Sequence, residues 1–216
     1  MTKHPKITLL CLSLVNLTAY LTMSIIAPFF PYEASIKGMR ESLAGFVFSV
    51  YALVMMVSSP LLGKLLPVVG VKFMLLSGIW FSGWSNVLFG VLEDVNDTTT
   101  FTILCFVVRA VGAFGAASFS TASYTYIIHL FPENVGLAFG LTETCVGIGM
   151  SLGPAVGGLL YGLGGYSLPF YVLGSFILAT GPLCMIFVEP LESKSRSRSP
   201  SPTIFAFFPP HLSASR

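Results

Sequence analysis

Six long apolar runs constrain this sequence more than any other feature. A bilayer core about 30 Å thick is crossed by a helix of about 20 apolar residues, and each run is near or above that length. Only 9% of the residues are charged, against roughly 25% in an ordinary soluble domain, so a soluble fold is excluded. The predicted spans, numbered 1 to 6, cover residues 7–30, 43–66, 71–92, 101–128, 135–162 and 166–188.

These spans predict an all-α integral membrane protein. A closed β-barrel also satisfies every backbone group in lipid, but its strands are short and alternate apolar with polar residues. The runs here are long and continuous. The first run is too long for the core of a signal peptide and has no convincing cleavage site, so we interpret it as a retained helix.

The distribution of charges predicts the orientation in the membrane. Six spans place both termini on one side, and the loop on the other side is acidic, with Glu93, Asp94 and Asp97. Because basic residues are retained in the cytoplasm, we predict that residues 1–6 and a disordered tail, 189–216, are both cytoplasmic. The basic residues on that side are Lys3, Lys6, Lys64, Lys72, Lys194, Arg196 and Arg198.

Two charged residues lie deep within the spans. Arg109 in span 4 and Glu143 in span 5 are each about 12 Å from a helix end, at 1.5 Å per residue. A charge at that depth costs about 2.5 to 3.5 kcal/mol and usually faces a bundle interior or a water cavity. Three hypotheses are open for Glu143: it binds a cationic substrate, carries a proton or pairs with Arg109. The structural alternative is that Arg109 bonds to carbonyls and Glu143 only packs.

Other polar residues in the spans are weaker candidates. Asn16 and Tyr20, one turn apart in span 1, share a face, and either line a central cavity or bond neighbouring helices. His129 is predicted to be a loop residue rather than a proton carrier. No cofactor or metal site is predicted. Four cysteines lie in apolar stretches whose spacing suggests neither a disulfide nor a metal site, namely Cys11, Cys105, Cys145 and Cys184.

Small residues recur every four positions in span 5, in the string GMSLGPAVGG. Such spacing lets a neighbouring backbone approach closely, and a proline inside the helix removes a hydrogen bond and bends it. We therefore predict a tightly packed, kinked segment. The residues of the motif are Gly149, Gly153, Pro154, Gly157 and Gly158.

This string resembles a motif of the major facilitator superfamily of transporters. Its proton-coupled antiporters carry Gly-x-x-x-Gly-Pro-x-x-Gly-Gly on the fifth helix, as residues 149–158 do. The family's fourth-helix motif, an arginine followed by spaced glycines, is matched by Arg109, Gly112 and Gly115. The resemblance implies that Arg109 takes part in proton coupling.

A third motif of this family, on the turn between helices 2 and 3, is matched in part. The matching residues are Gly63, Leu65, Gly70 and Lys72, whereas the usual acid is replaced by Pro67. This replacement removes the charge that normally latches the turn.

At finer grain, the strings IAPFFPYEASIKG and GVKFMLLSG resemble the vesicular amine transporter family, most of all its polyamine branch. The monoamine and acetylcholine branches carry an acid on helix 1, but residues 16–23 contain none. The resemblance therefore implies polyamine rather than monoamine transport.

The resemblance also implies an architecture. It is the N-terminal six-helix bundle of the major facilitator fold, built from two inverted three-helix repeats. The function is that of half of a proton-coupled antiporter of organic cations. The implied partners are the bilayer, a polyamine-like cation, a proton, and a homodimer mate or second transporter half. The implied location is a secretory or synaptic vesicle or the plasma membrane.

Two alternatives are weighed against this function. One is a truncated, non-transporting fragment that regulates a full-length transporter, since the polar tail begins where an interdomain linker would. The other is a six-helix channel, which is less favoured because paired Asn-Pro-Ala boxes and a TVGYG-like filter are absent from the sequence. An enzyme is not predicted, since the sequence has no phosphate loop or nucleophile-and-base motif. A net charge of +2 does not suggest nucleic acid.

Overall fold

The computed structural model describes residues 5–188, so residues 1–4 and the predicted tail 189–216 lie outside it. Six helices in the described part are long and apolar enough to cross a membrane, which confirms the all-α membrane fold. The elements are α1 (Pro5–Ser24), α2 (Phe30–Ile36), α3 (Glu41–Val69), α4 (Val71–Val91), a 3-10 turn (Leu92–Asp94), α5 (Thr98–Leu130), α6 (Val135–Gly164) and α7 (Ser167–Phe187).

The first predicted span is wrong in one respect, because it is not a single helix. α1 ends at Ser24, and α2 begins only at Phe30. Pro28 has no backbone N–H and disfavours the helical conformation of the residue before it. Pro31 then lies in the first turn of α2, where a missing N–H costs nothing. The break turns Phe29 and Phe30 into the core, where each is at most 3% exposed.

The helices pack as two repeats of inverted orientation would pack. α1 lies along α6, and α5 lies along α3, so the first helix of each repeat packs on the second helix of the other. α4 and α7, the third helix of each repeat, pack on each other. The most extensive interface joins α4 to α5. The two helices are so close there that a Cβ atom added to Gly78 would lie 2.5 Å from the backbone nitrogen of Phe119.

The two ends of the bundle differ in composition. At the end where α1 begins and α7 ends, here the terminal end, the Thr8 hydroxyl donates to the Phe187 carbonyl at 3.2 Å. The opposite end, here the α2 end, is filled by aromatic rings in mutual contact. These rings belong to Phe29, Phe30, Phe48, Phe89, Tyr161, Tyr166 and Phe170.

Polar bonds close the α2 end. The Lys37 ammonium donates to the carbonyls of Glu93 and Val95, both at 2.7 Å, which ties the segment after α2 to the loop before α5. The hydroxyl and backbone N–H of Thr100 each donate to the Asp97 carboxylate at 2.7 Å. These two bonds lower the pKa of Asp97 and cap the first turn of α5.

Candidate transport pathway

Arg109 is buried about a third of the way along α5, and no acidic side chain in the described part of the chain pairs with it. It is 6% exposed and lies eleven residues, about 16 Å, from the start of α5 at Thr98. Its guanidinium carbon lies 4.9 Å from the ring centroid of Tyr51 and 5.6 Å from that of Phe89. Among residues 5–188 its Nε atom has no hydrogen-bond partner. The guanidinium is therefore stabilised by the faces of two aromatic rings instead of by a carboxylate.

Glu143 lies on the surface of the described bundle, about two turns into α6. Its carboxylate accepts a hydrogen bond of 2.6 Å from the Tyr124 hydroxyl on α5. The Tyr124 ring stacks on Phe139, with ring centroids 5.4 Å apart. The carboxylate is thus held in one position by a neighbouring helix, yet it stays open on its outer side.

The structure does not bring Arg109 and Glu143 together. Tyr124, which holds Glu143, lies fifteen residues beyond Arg109 on α5, or about 22 Å along the helix axis. Of the three hypotheses for Glu143, pairing with Arg109 is therefore the one that the geometry does not support.

Tyr20 lies between Tyr51, which contacts Arg109, and Tyr124, which donates to Glu143. With Tyr51, Met55 and Ser120 it lines a cavity of about 10 Å³ between α1, α3 and α5, about the room that one water molecule needs. Tyr20 also lies close to the side chains of Tyr51 and Tyr124. A row of tyrosines thus runs between Arg109 and Glu143. The cavity itself is too small for an organic cation.

Asn16 does not share the position of Tyr20. It is fully buried, and its side-chain amide donates to the Leu12 carbonyl at 2.9 Å and to the Ser123 hydroxyl at 3.0 Å. Of the two roles predicted for it, the geometry supports the bond between helices, here α1 and α5. His129 is exposed in the last turn of α5, and its Nδ1 lies 2.8 Å from the Thr125 carbonyl.

The glycine motif of α6 forms a contact with the backbone of α1. A Cβ atom on Gly153 would lie 2.8 Å from the Leu21 carbonyl oxygen, and one on Gly157 would lie 2.5 Å from that of Ile25, the residue that follows α1. Gly149 makes the same kind of approach to the Leu17 carbonyl. By contrast, a Cβ on Gly158 would meet nothing within 4 Å. α6 is continuous through the half-buried Pro154, and the kink stays a prediction.

The motif that the family carries on its fourth spanning helix lies on α5 here and packs against α4. A Cβ on Gly112 would lie 2.6 Å from the Ser85 hydroxyl oxygen, and one on Gly115 would lie 2.7 Å from the Ser82 nitrogen. These glycines let α4 and α5 approach closely. They thereby fix the position of Arg109, which lies one turn away.

The motif between helices 2 and 3 forms the turn from α3 to α4. Gly70 has a φ of +91°, a conformation that favours glycine, while Gly63 and Leu65 are exposed on α3. The Lys72 ammonium donates to the Met185 carbonyl at 3.0 Å, in the last turn of α7. A lysine near a helix C-terminus interacts favourably with the last carbonyls. Lys72 therefore connects this turn to α7, although Pro67 stands where the family usually has an acid.

Three contact residues escape the sequence analysis, namely Tyr51, Phe89 and Tyr124. Each is an aromatic residue inside an apolar run, and helical spacing alone does not show which residue of another helix it meets. The charges Arg109 and Glu143 were visible in the sequence because charges are rare in spans. Their partners were not.

Comparisons with known proteins agree with this fold. The profile of the Major Facilitator Superfamily matches residues 12–214. The chain is 41% identical over 179 residues to the MFS-type transporter SLC18B1 of Homo sapiens, covering 83% of this chain and 39% of that protein. It is 27% identical over 186 residues to the probable vesicular acetylcholine transporter-B of Danio rerio, covering 82% and 36%.

These relatives are transporters by name, not enzymes. The chain spans about two fifths of the length of the relatives it matches. Since the family profile covers far more than half of the chain, and the matched helices have the expected number and packing, the chain belongs to the Major Facilitator Superfamily.

Proposed function

We propose that this chain forms one wall of a proton-coupled pathway for organic cations of the polyamine type. The observation that carries the proposal is the hydrogen-bonded pair of Tyr124 and Glu143. Among residues 5–188, Glu143 is the only carboxylate more than one turn inside a spanning helix. A carboxylate facing lipid at that depth is costly, so its open side is best explained by a water-filled pathway.

The surroundings of Glu143 suit an organic cation. A carboxylate attracts the ammonium group, and aromatic faces such as those of Tyr124 and Phe139 attract it further. The vesicular acetylcholine transporters among the relatives are named for an organic cation. The lack of an acid in residues 16–23 favours a polyamine over the cations of those branches. We also propose that Arg109 takes part in proton coupling, since its guanidinium lies over the ring of Tyr51.

The pathway needs a second wall. The cavity beside Tyr20 has room for about one water, so a polyamine requires additional surface, supplied by a second transporter half or by a second copy. The alternative of a regulatory fragment has no support from the described residues. The proposed location is a vesicle membrane or the plasma membrane.

The test of the proposal is the variant Glu143→Gln, which keeps the shape of the side chain but cannot bear a charge. It is made in a joined protein, residues 1–188 of this chain followed by the part of the human relative that this chain does not cover. We expect proton-driven uptake of labelled spermidine to fall at least tenfold, because the carboxylate binds the cation or the proton. Uptake is measured in vesicles with equal amounts of inserted protein.

The matched control for this variant is Tyr124→Phe. It removes the 2.6 Å hydrogen bond but keeps the carboxylate and the aromatic ring, so its uptake is expected to fall less. Unchanged uptake and unchanged pH dependence in Glu143→Gln would rule out the functional role of Glu143.

The proposed orientation places the terminal end in the cytoplasm. In cells that carry the chain at the plasma membrane, we expect a cysteine at Asp94, an exposed residue of the 3-10 turn, to react with an impermeant maleimide applied outside. A cysteine at Lys64, exposed near the terminal end of α3, is expected to react only after permeabilisation. Both are introduced into a chain whose native cysteines are alanine. The reverse pattern would invert the orientation.

A further inference from the structure

Two cysteines on different helices face each other near the terminal end. The Sγ atoms of Cys11 on α1 and Cys184 on α7 are 3.8 Å apart. Both side chains are buried, at 5% and 0% exposure, and both thiols are free. The pairing plays no part in the pathway described above, which lies on other faces of the bundle.

The contact belongs to a regular antiparallel register. One turn earlier on α1, Thr8 donates to the carbonyl of Phe187, one turn later on α7. Side chains three residues apart share a helix face, so the same strip of α1 meets the same strip of α7 at both levels. The sulfur atoms are therefore opposed by the packing of the two helices.

We propose that Cys11 and Cys184 form a redox-active dithiol site that two-electron oxidants convert to a disulfide joining α1 to α7. A disulfide needs a sulfur separation of about 2.05 Å, so the two atoms must close by less than 2 Å from their present 3.8 Å. Burial excludes charged reagents, and the site thus takes uncharged, membrane-permeant oxidants. In a reducing cytoplasm the thiol form prevails.

The chemistry is balanced by an oxidant such as diamide, a diazene. One thiolate adds to the N=N bond, and the second thiolate displaces the resulting hydrazine to form the S–S bond. The two thiols together lose two electrons and two protons, and the diazene takes them up as a hydrazine. A thiol reductant reverses the step.

The first test uses the full chain in membranes with Cys105→Ala and Cys145→Ala, which leaves Cys11 and Cys184 as its only cysteines. After diamide treatment and denaturation, we expect both thiols to be lost while the chain stays monomeric on a non-reducing gel. Dithiothreitol should restore both. Adding Cys11→Ala gives the matched control, whose remaining thiol should survive as a monomer.

Persistence of both thiols after diamide, or their loss only as linked dimers, would overturn the proposal. A second measurement uses the chain with all its cysteines and so does not depend on the folding of the variants. Mass spectrometry of the oxidised protein should find a peptide pair joined through Cys11 and Cys184. A pair joined through Cys105 or Cys145 instead would also overturn it.

Discussion

Replacing Gly149 by alanine is expected to destabilise the bundle by about 1 to 3 kcal/mol, the usual cost of adding atoms to a close-packed interface. The new Cβ would clash with the Leu17 carbonyl oxygen and lie 3.1 Å from the Leu21 nitrogen, both in the α1 backbone. Backbone in the middle of a helix cannot move aside as a flexible side chain can. The midpoint of thermal unfolding in detergent should therefore fall.

The control for this variant is Gly158→Ala in the same motif. Its Cβ would meet nothing within 4 Å, and alanine is favoured over glycine in helices by about 1 kcal/mol. The thermal midpoint is thus expected to stay the same or rise. Equal loss of stability in both variants would show that the motif does not act through contact with α1.

Replacing Arg109 by methionine is expected to abolish uptake in the joined protein while leaving the thermal midpoint almost unchanged. Placing a charge in a membrane is unfavourable by about 2.5 to 3.5 kcal/mol, and each cation–π contact stabilises the charge by about 0.5 to 2 kcal/mol. With two such contacts, to Tyr51 and Phe89, the balance is near zero. A long apolar side chain in its place should therefore be tolerated by the fold.

The result separates function from packing at Arg109. Uptake of labelled spermidine and the thermal midpoint are measured on the same preparations. A large fall in stability together with a proportionate loss of uptake would assign Arg109 a structural role. Retained uptake would remove it from the pathway. Arg109→Lys gives a charge control that keeps the cation but loses the flat guanidinium that lies over the rings.

The sequence predicted those features that depend on composition and spacing along one helix. The apolar runs located spans 2 to 6 to within about three residues at each end, because crossing the bilayer sets their length. The spacing of Gly149, Gly153 and Gly157 predicted a close helix contact. The break after Ser24 was missed, although Pro28 is visible, since the apolar run continues across it.

Contacts between helices could not be predicted from the sequence. Glu143 was predicted as a candidate, but its partner Tyr124 depends on how α5 and α6 pack. Cys11 and Cys184 are 173 residues apart, and no local pattern joins them. Similarly, Lys72 was recognised as a cytoplasmic basic residue and as part of a motif, but its bond to Met185 follows from the position of α7.

The central claim is that this six-helix bundle supplies one wall of a polyamine pathway and transports only when a second wall is present. The most direct measurement places the purified chain and the joined protein in separate liposomes, imposes a pH gradient, and follows labelled spermidine beside a labelled monoamine. The account predicts gradient-dependent accumulation of spermidine by the joined protein, and insertion without accumulation by the bundle alone. Accumulation of either amine by the bundle alone, above empty liposomes, would contradict it.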